Sequence, residues 1–135
     1  MLSLKSIMTR DVITVTPETS IFDAMELLKA HKISGMPVVD AEMRVKGILT
    51  EKDVLRILID DEIEYKHTVG DYMTTDVVAF SENDSAIKVC QFFINSHIRR
   101  VPILEDGKLI GIVSRRDIIS LILEAKSKIS KARYT

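Results

Sequence analysis

Two short segments of the chain could do chemistry. Thr50 and Asp53 sit three residues apart just after the apolar run Gly47-Ile48-Leu49, and Ser114 and Asp117 repeat that arrangement after Gly111-Ile112-Val113. In each copy the apolar run reads as a strand that stops at a hydroxyl residue, with the carboxylate placed where a helix begins. The first N–H groups of a helix lack intrahelical partners and lie at the positive end of its dipole, so phosphate oxygens are stabilised there and a nearby hydroxyl adds a hydrogen bond. An ionised aspartate only accepts hydrogen bonds, and can take them from two neighbouring hydroxyls such as a ribose diol. The same spacing also serves the helix itself, with Thr50 or Ser114 as N-cap and the aspartate at N3. From the residues alone both readings stand.

Other chemistry finds little support. His31, His67 and His97 are scattered, and no Cys, His or carboxylate stands at metal-ligand spacing. No nucleophile elbow, Walker loop, dinucleotide-type glycine turn or Ser/His/Asp order is present, so no catalysis and no cofactor are expected. Cys90 lies on an apolar stripe and reads as a small core residue. Glu51 and Arg116, beside the hydroxyl and carboxylate positions, read equally as ligand contacts or solvated helix surface.

The two segments belong to a longer duplication. Met8-Thr9 matches Met73-Thr74, Asp11-Val12-Ile13 matches Asp76-Val77-Val78, Ser20 matches Ser85, and Ile33 with Met36-Pro37-Val38 matches Ile98 with Val101-Pro102-Ile103, all at one offset. From Gly47 and Gly111 onward the offset is one residue shorter, which places a length change between Asp40 and Gly47 in a surface turn.

Elements follow from periodicity. Val12–Val15 is predicted as a short strand, followed by a helix from Ser20, with Asp23 completing an approximate capping signature and Ile21, Ala24, Met25 and Leu28 as its apolar stripe. That helix ends near Lys32, ahead of Gly35 and Pro37. Pro37–Val39 and Val45–Leu49 read as a strand pair, and Lys52 to Ile59 as a second helix. In the second copy Ile103-Leu104 and Leu109–Val113 flank Glu105-Asp106-Gly107-Lys108, whose Asp-Gly marks a hairpin. Asp60 to Tyr72 reads as the connector, and its cluster Asp60, Asp61, Glu62 and Glu64 as a solvated helix end and linker rather than a metal or partner site. Beyond Leu123 the basic tail reads as a helical extension that frays or docks on a partner subunit.

The resulting class is α/β (α+β), with two pseudo-symmetric repeats of strand-helix-strand-strand-helix packed sheet to sheet. Repeat 1 with its N-terminal segment and linker is expected over residues 1–66, repeat 2 over 67–123, and the tail over 124–135. A chain of 135 residues with 46% hydrophobic content can build one ordinary core. A net charge of −1 gives no general attraction to nucleic acid or anionic membrane. The lone cysteine and the lack of a long apolar run lead to a cytoplasmic expectation.

The duplicated pattern, Ser-Gly-Met-Pro-Val-Val-Asp followed by Gly-Ile-Leu-Thr-x-x-Asp, resembles the cystathionine β-synthase (CBS) domain, from about Leu4 to Leu123. Paired CBS domains form a Bateman module, and the resemblance implies clefts between the repeats that bind AMP, ADP, ATP or S-adenosylmethionine. It places Ser114, Asp117 and Ile112 in one cleft with Arg99 and Arg100 reaching the phosphates, and Ile13, Ile33, Ser34 and the chain near Met8 on the adenine side. The other cleft would use Thr50, Asp53 and Ile48 with Val78 and Ile98. It lacks the guanidinium pair, because Ser34-Gly35 stands where Arg99-Arg100 stands in the first. The Asp117 copy is therefore expected to be the better phosphate site. An exposed pair answering the acidic connector is the plainer reading of Arg99-Arg100.

The resemblance also implies a homodimer, with Val54-Leu55-Ile57-Leu58 and Ile118-Ile119-Leu121-Ile122 as interface candidates, and a regulated protein in trans. The rival reading is a structural or interaction module that dimerises and binds an enzyme or transporter with vestigial clefts.

Overall fold

The computed structural model describes residues 3–60, 63 and 66–134, with side chains as far as Lys131. Its chain divides into two compact units that do not follow the sequence repeats. One gathers the N-terminal segment to Asp11, Val78–Asp106 and the chain from Ile110 onward; the other holds Val12–Val77 with Gly107–Leu109.

In the second of these units, helix α1 (Ile21–His31) leads to strands β1 (Gly35–Val39) and β2 (Val45–Thr50), then helix α2 (Glu51–Ile59) and a short helix α3 (Val69–Tyr72). β1 and β2 are antiparallel, with Met36 opposite Leu49 and Pro37 opposite Ile48. The register slips between Val38 and Val39. Beside that slip lies the turn containing the extra residue of this copy. Asp40 organises the turn, its Oδ1 accepting from the N–H groups of Glu42 and Arg44 at 2.9 and 3.0 Å. These backbone donors hold the Asp40 carboxyl below the usual carboxylate range. Ile21, Ala24 and Leu28 from α1 close over Met36, Val38 and Leu49, as the stripe predicted.

Three expectations change here. Val12–Val15 is not a strand: only Val15 engages, through a single parallel bridge to Val38 with bonds to Pro37 O (3.2 Å) and from Val39 N (2.8 Å). A β-branched run without a partner for its other residues has nothing to hold it in a ladder. Ser20 makes no side-chain capping bond; its backbone pairs with Thr68 instead, and Ile21 N donates to His67 O. The connector is more than a linker, since its α3 buries Val69 and Tyr72 in this core. Asp71 caps α3 by accepting from Thr68 N at 2.9 Å, which lowers its pKa. The Asp61, Glu62 and Glu64 part of the acidic cluster lies outside the described residues.

The other unit holds a single 3-10 turn (Leu4–Ser6), strand β3 (Phe80–Ser81), helix α4 (Ala86–Ile94), strand β4 (Arg100–Glu105), strand β5 (Lys108–Ser114) apart from its first two residues, and helix α5 (Arg115–Tyr134). The sheet order is β3-β4-β5, with β3 parallel to β4. Asp106 and Gly107 both adopt positive φ, 53° and 79°, the pair of angles that an Asp-Gly hairpin turn needs. Here Ser85 does cap its helix, accepting from Lys88 N at 3.1 Å. The basic tail continues α5 without a break.

The N-terminal segment belongs to this core because Leu4 and Met8 are buried in it beside Val101, Ile103 and Val113. Thr9 and Ile112 exchange two backbone hydrogen bonds, at 2.8 and 2.9 Å. Thr74 and Ile48 make the same exchange in the second unit, both at 2.9 Å. Each Met-Thr pair therefore lies against the Gly-Ile strand of the other sequence repeat.

Candidate functional site

Both hydroxyl-carboxylate junctions close on themselves at the start of a helix. In the first, Thr50 N donates to Asp53 Oδ2 at 2.9 Å, Thr50 Oγ1 lies 3.0 Å from the same oxygen, and Asp53 N donates back to Thr50 Oγ1 at 3.4 Å. In the second, Ser114 N donates to Asp117 Oδ2 at 2.7 Å and Asp117 N donates to Ser114 Oγ at 3.2 Å. These are reciprocal caps, so the capping role read in the sequence is filled in both copies. The first helical residue is also engaged: Glu51 N donates to Ser34 O at 2.9 Å and Arg115 N to Arg99 O at 3.0 Å. Two of the first three helix N–H groups are thus bonded within the protein in each copy, which leaves the Lys52 and Arg116 amides as the inner donors for an anion.

The copies differ at the second carboxylate oxygen. Asp53 Oδ1 accepts from Thr74 Oγ1 at 3.3 Å. Asp117 Oδ1 has no hydrogen-bond partner among the described residues, although Thr9 is the sequence counterpart of Thr74. A capping aspartate uses one oxygen on the helix and keeps one for something else; Thr74 already holds the spare oxygen of Asp53.

The glycine of the repeated segment has a steric cause. A Cβ at Gly47 would stand 2.7 Å from Thr74 O, and one at Gly111 would stand 2.8 Å from Met8 Sδ and 3.0 Å from Thr9 O. Only a bare backbone lets the Met-Thr segment lie this close to the strand that ends at the hydroxyl.

The remaining anticipated residues divide between the units. With Ser114 and Asp117 lie Ile112, half-buried in β5, and Met8, which is buried and covers Gly111 rather than standing open. Arg99, Arg100, Val78 and Ile98 belong to the same unit and are exposed. With Thr50 and Asp53 lie Ile48, Ser34, Ile13 and Ile33, the last two packed against the core while partly exposed. One engaged residue escaped sequence reasoning. Arg115 donates from Nη2 to Phe93 O (3.0 Å) and Ser96 O (2.7 Å) and from Nε to Ile98 O (3.1 Å). The available signal was a break in the repeat, since Glu51 stands at the matching position.

A surface hollow of about 470 Å³ lies elsewhere in the unit of α1, lined by Thr16, Pro17, Glu18, Asp40, Lys46 and Met73. It contains neither hydroxyl-carboxylate pair. Among the described residues no three His, Cys, Asp or Glu side chains gather as a metal site, and no helix is long and apolar enough to cross a membrane.

Two α/β repeats, each ending a strand at a capped hydroxyl-carboxylate junction, define a duplicated α/β module. The CBS domain family model matches residues 4–60 and 69–124, and the chain belongs to that family as a tandem CBS-domain, or Bateman, module. Among curated relatives, it is 30% identical over 119 residues to the protein MJ1225 of Methanocaldococcus jannaschii, covering 88% of this chain and 42% of that one. It is 37% identical over 111 residues to the inosine-5'-monophosphate dehydrogenase of the same organism, covering 82% of this chain and 21% of the enzyme. The chain therefore spans less than half the length of either relative. Among solved structures, CBSX2 in complex with AMP is 30% identical, with a TM-score of 0.83 over 93% of this chain and 99% of that one. The CBS domain pair of MJ0100 in complex with 5'-methylthioadenosine and S-adenosylmethionine is 29% identical, with a TM-score of 0.76 over 92% and 97%.

Proposed function

We propose that the chain is a sensor of adenosine-containing ligands, a regulatory module that passes its occupancy to a partner, and that the Ser114-Asp117 junction is its principal site. The observation that carries this reading is the spare oxygen of Asp117, an acceptor left open by its cap and suited to a ribose hydroxyl. The two related structures hold AMP, 5'-methylthioadenosine and S-adenosylmethionine, which all contain adenosine. Arg99 and Arg100 supply the donors for a phosphate, and an arginine fork can give two parallel hydrogen bonds. The Thr50-Asp53 junction ranks second, because Thr74 occupies its spare oxygen and Ser34-Gly35 brings no cation.

Isothermal calorimetry with AMP tests both the reading and the ranking. Asp117→Asn can keep the cap, since the amide oxygen still accepts from Ser114 N, while an N–H₂ group replaces the open acceptor. It weakens AMP binding roughly tenfold, the scale of one hydrogen bond to a charged group. Asp53→Asn changes affinity by less than about threefold. Equal losses from the two substitutions overturn the ranking, and no binding by the unaltered chain overturns the reading.

The partner side of the proposal is a homodimer and a regulated protein in trans, in the cytoplasm, where the lone Cys90 stays reduced. Ile57, Ile118 and Leu121 from the sequence-based interface are core residues, which leaves Leu55 and Leu58 on α2 and Ile119 and Ile122 on α5 exposed, and the structure adds exposed Ile59 and Leu123 beside them. Scattered exposed aliphatics are ordinary, but three on one short helix make a patch. Sedimentation at tens of micromolar, roughly the range of a weak dimer, gives the dimer mass, and Leu58→Lys shifts it to monomer. A monomer at that concentration without the substitution counts against the dimer.

A further inference from the structure

We propose that Arg115 is a positioning residue for phosphate recognition: one guanidinium ties the segment that delivers Arg99 and Arg100 to the helix start that carries Ser114 and Asp117. This rests on the function proposed above and adds a residue and a selectivity to it.

Helix α4 ends on Asn95, whose Nδ2 donates to Gln91 O at 2.9 Å, while the carbonyl of Phe93 is left to a donor from another element. Asn95 N reaches Gln91 O and Phe92 O, each at 3.2 Å, and Asn95 stays at negative φ, so no left-handed residue turns the chain back onto the last carbonyls. The next residues, Ser96 to Arg99, form no regular element. Arg115 fills this gap from the start of α5. Its side chain donates to the carbonyls of Phe93, Ser96 and Ile98, and its own backbone N–H donates to Arg99 O. Four carbonyls between Phe93 and Arg99 are thus held by one residue that directly follows Ser114.

The first repeat solves the same problem differently. Lys32 at φ 53° is a left-handed C-cap, Lys32 N reaches Lys29 O at 3.3 Å, and Ile33 N reaches Leu28 O at 3.1 Å. That paired closure is a Schellman motif and satisfies the helix end from its own backbone. Among the described residues Glu51 there keeps only the backbone bond to Ser34 O. The side-chain clamp occurs in the repeat that has an arginine pair after the loop, and is missing where Ser34-Gly35 takes the pair's place.

The clamp's chemistry suits this role. A guanidinium presents its donors in a planar fork, so three bonds fix a direction as well as a distance, which a lysine cannot do. Its side-chain partners are neutral carbonyls rather than carboxylates, so its positive charge is not cancelled by them at the junction. An unsecured Arg99-Arg100 pair would have to be ordered when a phosphate arrives, at a cost in conformational entropy that falls on a phosphorylated ligand and not on the bare nucleoside.

The test is calorimetric titration of the whole chain with AMP and with adenosine. Arg115→Met keeps the aliphatic stem and removes the fork. It weakens AMP about tenfold and adenosine less than about threefold, so the preference for AMP shrinks. In an Arg99→Ala/Arg100→Ala background, Arg115→Met causes no further loss of AMP affinity, because the residue acts through that pair. A purely structural helix stop predicts equal losses for both ligands, and that result, or additive losses in the cycle, overturns the proposal. Should Arg115→Met be unfolded at the titration temperature, Arg115→Lys, which retains charge and stem without the fork, is read in the same way. If the unaltered chain binds AMP and the Arg115 variants keep its preference over adenosine, this inference alone fails; if it binds neither ligand, the function and this inference fall together.

Discussion

Leu49→Ala lowers the free energy of unfolding by about 2–5 kcal/mol, the range for deleting a buried leucine side chain where the surroundings relax only in part. Leu49 is completely inaccessible, pairs with Met36 across the β1-β2 ladder, and belongs to the cluster formed with Ile21, Leu28, Val38 and Ile57. Side chains alternate along β2, so Gly47 and Leu49 are buried while Ile48 and Thr50 are half-buried. Core and candidate site consequently share one strand. Truncating Ile48, whose side chain leaves the buried row, costs less than truncating Leu49. Urea denaturation checks this through the midpoint at unchanged slope. A loss below about 1 kcal/mol at Leu49 would mean that the strand is not anchored as described.

Much of this architecture is legible in the sequence because local signals agree with tertiary need. The α1 stripe of Ile21, Ala24 and Leu28 is buried as its spacing requires. The Asp106-Gly107 hairpin follows from turn chemistry, which needs no knowledge of the rest of the fold. The candidate site is legible as a pattern for the same reason: Thr50-Asp53 and Ser114-Asp117 announce helix starts, and both are found there.

What was not legible depends on distant partners. Val12–Val15 has strand composition, but composition cannot say that only Val15 meets a neighbour. Tyr72 and Val69 follow an acidic stretch that looks solvated, yet they complete a core built by residues from Val15 to Ile57. The exchange of Met-Thr segments, with Thr9 on Ile112 and Thr74 on Ile48, is visible only once both strands are placed. Arg115 hid in plain view because its importance lies in the carbonyls of another element, and an unsatisfied helix end has no residue type of its own. Symmetry was the useful guide to what matters, and its failures at Glu51/Arg115 and Ser34-Gly35/Arg99-Arg100 are what distinguish the two junctions.

Gly47→Ala destabilises the protein by about 1–3 kcal/mol through overpacking, and Gly111→Ala costs less. Gly47 does not have positive φ, so the argument is one of space. The added methyl at position 47 would meet Thr74 O at 2.7 Å and Met73 Sδ at 2.9 Å. Thr74 O cannot retreat freely, because it accepts from Ile48 N while Thr74 N donates to Ile48 O. At position 111 the nearest atom is Met8 Sδ at 2.8 Å, the far end of a flexible side chain, with Thr9 O at 3.0 Å behind it. Shortening the methionine therefore separates the two cases. Met8→Ala relieves part of the cost of Gly111→Ala in a double-mutant cycle, whereas Met73→Ala leaves most of the cost of Gly47→Ala in place, since the backbone oxygen remains. Equal rescue at both positions would assign the glycine requirement to methionine packing alone, and would remove the Thr74-Ile48 pairing as the reason that β2 needs a glycine three residues before Thr50.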